Sequence, residues 1–299
     1  MILQTIKQIS CLLCLCCFLQ QSAFSQDNKD KPAYTLFDNT GKQISYGELI
    51  KRLSGYDVIF LGELHNCPIT HWLEFEITRS IYNIHKDQLM LGAEMFESDN
   101  QLIFDEYMQQ KISYDRFEAE ARLWDNYRTD YYPVVFFAKE HHIPFIATNI
   151  PRRYANIVKN KGFEALDSLS EEAKRYIAPL PIDFEYDEAQ SAAAFSMMNM
   201  MGGRRAGDNR KLAQAQAIKD ATMGWFIARN IKNKFLHING SYHSNRQRGI
   251  IPYLLRYRPN TSIVTVTSVR QESIRKLDDD HKGLADFYIC VPEDMVNSY

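Results

Sequence analysis

Two segments of the same form stand at the ends of apolar runs in this sequence, Gly62-Glu63-Leu64-His65 and Gly240-Ser241-Tyr242-His243. Neutral imidazole binds metals or acts as a general base, and a carboxylate complements either role. Glu63 precedes His65 closely, and Glu94, with Glu97 beyond it, follows a third apolar run at Leu89–Ala93. Each leading glycine lets the chain turn sharply as it leaves its run. One carboxylate beside one histidine is commonly a structural pair. Two G-x-x-H turns together with Glu94 point instead to a ligand or catalytic site built from Glu63, His65, Glu94 and His243.

The remaining candidates carry weaker signals. His71 could join a metal site, but its position suits capping or packing at a helix start. His141 and His142 fall at an expected helix C-terminus, where imidazolium complements the dipole. His237 is mid-strand, and His85 and His281 read as surface residues. Arg152 and Arg153 follow Pro151 and could grip a carboxylate or propionate bidentately, or form an ordinary salt bridge. The stretch from Trp124 to Pro133 concentrates Tyr127, Tyr131 and Tyr132. A tyrosinate can ligate ferric haem, and aromatic rings cover a porphyrin face. A packed loop anchored by Trp124 accounts for the stretch equally well.

The elements that must position these residues are legible as periodicity. Continuous apolar runs at Val58–Leu61, Leu89–Ala93, Pro144–Thr148, Phe235–Ile238 and Ser262–Val269 read as strands buried on both faces. Shorter strands are expected at Tyr34–Phe37 and Ala285–Val291. Amphipathic stretches between them predict helices from Pro68, over Asn100–Gln110 and Tyr114–Leu123, from Pro133 to His142, and over Ile250–Tyr257. The alternation predicts an α/β fold with a mostly parallel central sheet flanked by helices. A smaller helical insert, about 162–234, separates the third and fourth core strands. Its segment Met197–Arg205 reads as a helix end and loop, or as a soft wall over an apolar ligand. Ligands of open parallel sheets bind beyond the carboxyl ends of the strands, where the histidines, glutamates and arginines stand.

Composition narrows the classes. The 299 residues are 45% hydrophobic and 24% charged, which suits a globular chain with a full core. A formal net charge of −2 offers no electrostatic footprint for nucleic acid. Lys7, the apolar run Ile9–Leu19 and Ala23-Phe24-Ser25 form the pattern of a secretory signal cleaved after Ser25. The run is too short for a membrane span, which needs about 20 apolar residues. The expected product is therefore an exported domain, 26–299, in the periplasm or cell envelope. A lipid anchor on Cys16 or Cys17 would have a poor lipobox, because Leu15 and Cys16 precede them. Four of the six cysteines lie in the signal, leaving Cys67 and Cys290, too few for a disulfide framework.

Taken in order, the motifs resemble the ChaN-like family of haem-binding uptake proteins, within the Tiki and erythromycin-esterase-like superfamily. They are Phe60-Leu61-Gly62-Glu63-Leu64-His65, Gly92-Ala93-Glu94-Met95-Phe96, Trp124 with Tyr131-Tyr132-Pro133, Thr148-Asn149-Ile150-Pro151-Arg152-Arg153, Asp220-Ala221-Thr222-Met223 and Asn239-Gly240-Ser241-Tyr242-His243. The resemblance implies haem binding linked to iron acquisition, tyrosine ligation of the iron and pairing of two haem-loaded protomers. It also implies a periplasmic or outer-membrane transport component as partner. Tyr131 matches the family tyrosine by its position before the proline, with Tyr132 beside it, and Arg152 or Arg153 would meet the propionates. In the Tiki branch, paired G-x-x-H motifs and a glutamate accompany metal-dependent peptide hydrolysis, and Glu63, His65, Glu94 and His243 match those positions. The leading expectation is an exported haem-binding protein. The alternative is a metal-dependent hydrolase in which His65 and His243 hold a divalent transition metal or activate water, Glu94 assists as a further ligand, and Glu63 orients. A scaffold that keeps the site for stability is a third reading.

Overall fold

Strand β2 (Val58–Glu63) is buried along its whole length, as its unbroken apolar sequence requires. Its side chains alternate between two cores: Ile59 and Leu61 face one, Val58 and Phe60 the other. The same rule shapes β3 (Leu89–Glu97) and β5 (Lys234–Gly240). With β1 (Thr35–Asp38), β4 (Phe145–Asn149), β6 (Ile263–Gln271) and β7 (Phe287–Pro292), they form one seven-stranded sheet of order β1-β7-β6-β2-β5-β3-β4. Every pairing is parallel except that of β1 with β7. The expected mostly parallel α/β architecture is thus the observed one. The computed structural model describes residues 31–186 and 209–299, so the expected signal segment Met1–Ser25 and the methionine-rich Met197–Arg205 lie outside the described residues.

Helices cover both faces of the sheet. Among those on the first face are α1 (Tyr46–Leu53), α2 (Pro68–His85), α3 (Gln101–Met108), α4 (Tyr114–Glu120) and α5 (Tyr132–Glu140). Ser45 caps α1 by accepting from the Glu48 amide, and Pro68 opens α2 at the position where a missing N–H costs nothing. After α6 (Arg152–Lys161) and α7 (Glu171–Lys174), the long helix α8 (Asn209–Asn230) and α9 (Ile250–Tyr257) build the core on the opposite face. Met223, Ile227, Ile250 and Leu254 meet Val58, Phe60 and Phe235 there, each fully buried. Each such side chain contributes about 1.5–3 kcal/mol on leaving water. Gly224 makes the approach of α8 to α9 close, since a Cβ on it would stand 2.9 Å from the Leu254 amide nitrogen. Among the described residues, no helix is long and apolar enough to cross a membrane.

Two features place the site. Strands β2, β5 and β3 are neighbours, and Glu63 pairs in register with Gly240, so their carboxyl ends open on one rim. The ladder of β3 with β5 stops at Ala93, and its register with β4 shifts between Ala93 and Glu97. Such an irregularity re-aims side chains, and Glu94 is the first residue it releases. Cys67 and Cys290 are both free and buried, and burial pushes the Cys290 thiol up to about 12.

Candidate functional site

Glu63 ends β2 with its carboxylate fully buried, and the turn that follows folds His65 back over it. His65 Nδ1 lies 2.5 Å from Glu63 Oε1, which also accepts a 2.8 Å bond from the Tyr131 hydroxyl. Burial, reinforced by neighbouring Glu74, pushes Glu63 up to about 7. Burial opposes a charged His65, but its bond to Glu63 and the charges of Glu63 and Glu94 outweigh this and raise the imidazole above its ordinary value. The His65 side chain keeps 29% exposure and sits edge-on to Trp124, with centroids 5.1 Å apart. It is the solvent-facing member of the group.

Glu94 and His243 form the other half. Glu94 Oε2 accepts the Gly240 amide at 2.9 Å, and its Oε1 lies 3.2 Å from His243 Nε2. The other ring nitrogen, Nδ1, is 2.5 Å from Asp220 on α8. Burial works against an imidazolium here, yet Glu94 and Asp220 on either side push His243 up to about 10. Burial alone would raise Glu94, but His243 holds its carboxyl well below the usual carboxylate range. His243 therefore acts as a buried cation between two carboxylates, with both nitrogens engaged. Gly240 joins the halves: a Cβ on it would meet His65 Nε2 at 2.7 Å and Glu94 Oε2 at 3.4 Å. Glu63, His65, Glu94 and His243, remote in sequence, are thus contiguous.

Asp220 entered the sequence reading only as the first residue of the Asp220–Met223 motif, with no role assigned to it. In the helix its carboxylate is buried among Ile218, Ala221 and Met223, a setting visible only once the helix is packed. A second group lies behind Glu63, where His71, read from the sequence as able to join a metal site or to pack at a helix start, meets Glu74, which the sequence did not mark. His71, in the first turn of α2, places Nδ1 3.1 Å from Glu74 and 3.7 Å from Glu63 Oε2. Its Nε2 faces the His65 carbonyl at 3.1 Å and Asp130 at 3.4 Å. Asn126 donates to the same carbonyl and to Asp130, and Ser298 donates to Asp130 as well.

The tyrosines and arginines indicated by the motifs occupy different settings. Tyr131 closes a single π-helical turn, Tyr127–Tyr131, immediately before α5. It is buried, and burial together with Glu63 lifts its phenol far above the ordinary range. Tyr132 is half-buried and packs edge-on to Tyr114 and Tyr127. Arg152 and Arg153 are exposed at the start of α6, within reach of Glu97 (3.8 Å) and Asp99 (2.5 Å) respectively. An open cavity of about 540 Å³ lies beside Asp220, with Phe184, Tyr242, Arg248, Tyr253 and Arg256 among its walls.

A mostly parallel sheet carrying a His/Glu site on the carboxyl rim of its central strands defines the class of protein. The chain belongs to the family described as haem-binding uptake, Tiki superfamily, ChaN, whose match spans residues 49–254. In three dimensions it is similar to ChaN of Campylobacter jejuni, described with cofacial haem binding, at a TM-score of 0.66 and 20% identity over 88% of this chain and 97% of that one. It is also similar to a mutant of the erythromycin esterase EreC in its open conformation, at a TM-score of 0.50 and 11% identity over 89% and 99% of the two chains. These likenesses show the shared fold. No curated protein matches the sequence.

Proposed function

We propose that the chain is an exported haem-binding protein serving haem or iron acquisition at the cell envelope, and that haem meets it in the cavity beside Asp220 and His243. Family membership supports the ligand, and the composition of the cavity wall is the observation that carries the location. Aromatic rings of Phe184, Tyr242 and Tyr253 suit the faces of a porphyrin. Arg248 and Arg256 suit its propionates. When bound, haem supplies an iron that a tyrosinate or histidine can ligate. Tyr242 is the more exposed phenol on this wall, at 38%. Tyr131, with its hydroxyl given to Glu63, positions the Glu63–His65 pair, and Tyr132 stands beside it as the other motif tyrosine. Export rests on the pattern of Met1–Ser25. Pairing of two haem-loaded protomers and delivery to a transport component are part of the same reading, carried by the family resemblance of the motifs.

Titrating purified protein with haem tests the proposal. A saturable Soret band is expected, and Tyr242→Phe should shift or weaken it. A band unchanged in Tyr242→Phe but lost in the Tyr131→Phe, Tyr132→Phe double variant would move the ligand to the motif tyrosines. No saturable band in the wild type would end the reading. The hydrolase alternative draws on the exposed His65 over Glu63, a base paired with its orienting carboxylate. It requires chelator-sensitive cleavage of a peptide or ester that disappears in His65→Ala.

A further inference from the structure

The buried group behind Glu63 uses none of the residues assigned to haem. Glu63, His71 and Glu74 each direct one donor atom into a common space, and these atoms lie within 4.8 Å of one another. All three side chains are at least nine-tenths buried. Glu63 Oε2 and Glu74 Oε1 have no hydrogen-bond partner among the described residues. An unmatched buried carboxylate oxygen is costly, and two around one space call for a positive occupant. His71 is already oriented for that role. Its Nε2–H can donate to the His65 carbonyl, which turns the Nδ1 lone pair toward both glutamates. A backbone carbonyl holding the far nitrogen is the usual support of a metal-bound imidazole.

We propose that Glu63, His71 and Glu74 form a binding site for one divalent transition-metal ion of the zinc or manganese class. Two carboxylates balance a dication in a region closed to solvent. The imidazole selects this class over calcium and magnesium, which prefer oxygen alone. The observed donor separations of 3.1 and 3.7 Å bracket the spacing of ligands about a tetrahedral ion. The site shares Glu63 with the G-x-x-H rim, through the oxygen turned away from His65, while His243 and Glu94 engage one another and take no part. The ion would tie the end of β2 to the first turns of α2, and would hold Glu63 as the acceptor of His65 and Tyr131.

The test uses the full protein without haem, stripped by chelator and then titrated with Zn²⁺, and with Co²⁺ as a spectroscopic probe. One equivalent of Zn²⁺ should bind and raise the Tm, and Co²⁺ should develop visible d–d bands. Glu74→Gln, close to isosteric, should weaken binding about tenfold or more, whereas Glu94→Gln should leave it intact. Wild-type protein that binds no Zn²⁺ or Co²⁺ and shows no shift in Tm would overturn the proposal. That result would mean a shared proton occupies the space. Binding that survives a His71→Gln, Glu74→Gln double variant but falls in Glu94→Gln would overturn it equally. Should the His71 or Glu74 variants fail to fold, the wild-type stoichiometry, Tm and Co²⁺ bands still decide. None of these readouts depends on haem, so failure of the haem reading leaves them unaffected.

Discussion

Replacing Gly240 with alanine should loosen the rim without altering any ionisable group. The new methyl would stand 2.7 Å from His65 Nε2 and 2.8 Å from its Cε1, well inside van der Waals contact. The backbone at Gly240, with φ −54° and ψ 136°, accepts alanine without strain, so the conflict is purely between side chains. Glu94 Oε2 stands 3.4 Å away on another side, and His65, with 29% exposure, is the group free to retreat. Its retreat stretches or breaks the 2.5 Å bond to Glu63 and leaves that buried carboxylate with Tyr131 alone on Oε1. A lost charge-assisted bond and local overpacking together cost about 1–3 kcal/mol. For a domain of this size each kcal/mol lowers the Tm by about 2–4 °C. A second readout is the titration of His65 followed by NMR. The bond to Glu63 is the main influence raising that imidazole, so its pKa should drop toward the ordinary value. A variant with wild-type Tm, and His65 titrating as in the wild type, would refute the packing argument.

Three further outcomes follow from the same geometry. His243 has a folded pKa of about 10 against an ordinary 6.5, so its stabilising contribution is complete below about 6.5 and is lost as pH rises through 10. The unfolding free energy should fall over that window by on the order of a few kcal/mol, and Asp220→Asn should flatten the slope; equal slopes in both proteins would discount the pair. Tyr131→Phe removes the hydroxyl that donates to buried Glu63, and chemical denaturation should report a loss of about 1–3 kcal/mol. An unchanged midpoint would show that this bond adds nothing. Cys67 and Cys290, free and buried, should react with a thiol reagent only on unfolding, and rapid labelling of the native protein would contradict their burial.

The strands and the rim were legible because their physics is local. Val58–Leu61 or Leu89–Ala93 can satisfy its side chains only in the middle of a sheet, and a glycine-led turn at a strand end has few other uses. From there, the meeting of Glu63, His65, Glu94 and His243 follows from the rule that ligands gather at the carboxyl edge. What escaped the reading is long-range or irregular. Asp220 reaches His243 from α8, and its importance depends on how a helix lies across the sheet. The register shift that frees Glu94 leaves no mark in the apolar pattern. His71 was legible only as a residue at a helix start that could join a metal site, Glu74 carried no signal, and only the depth of α2 against β2 makes them an interior cluster. The arginines after Pro151 open a helix as expected, and their engagement by Glu97 and Asp99 reflects the path of the chain after β3.

The contact at Gly224 bears on the rim from a distance. Asp220 lies one helical turn before it, and the backbone of α9 presses where a side chain would otherwise be. Sliding α8 along α9, or prising the two apart, would carry the Asp220 carboxylate away from His243. The depth at which that acid sits is therefore gauged by a seam on the reverse side of the sheet. Bulk introduced at a position touching no ligand should detune the buried cation as surely as a change to the carboxylate itself.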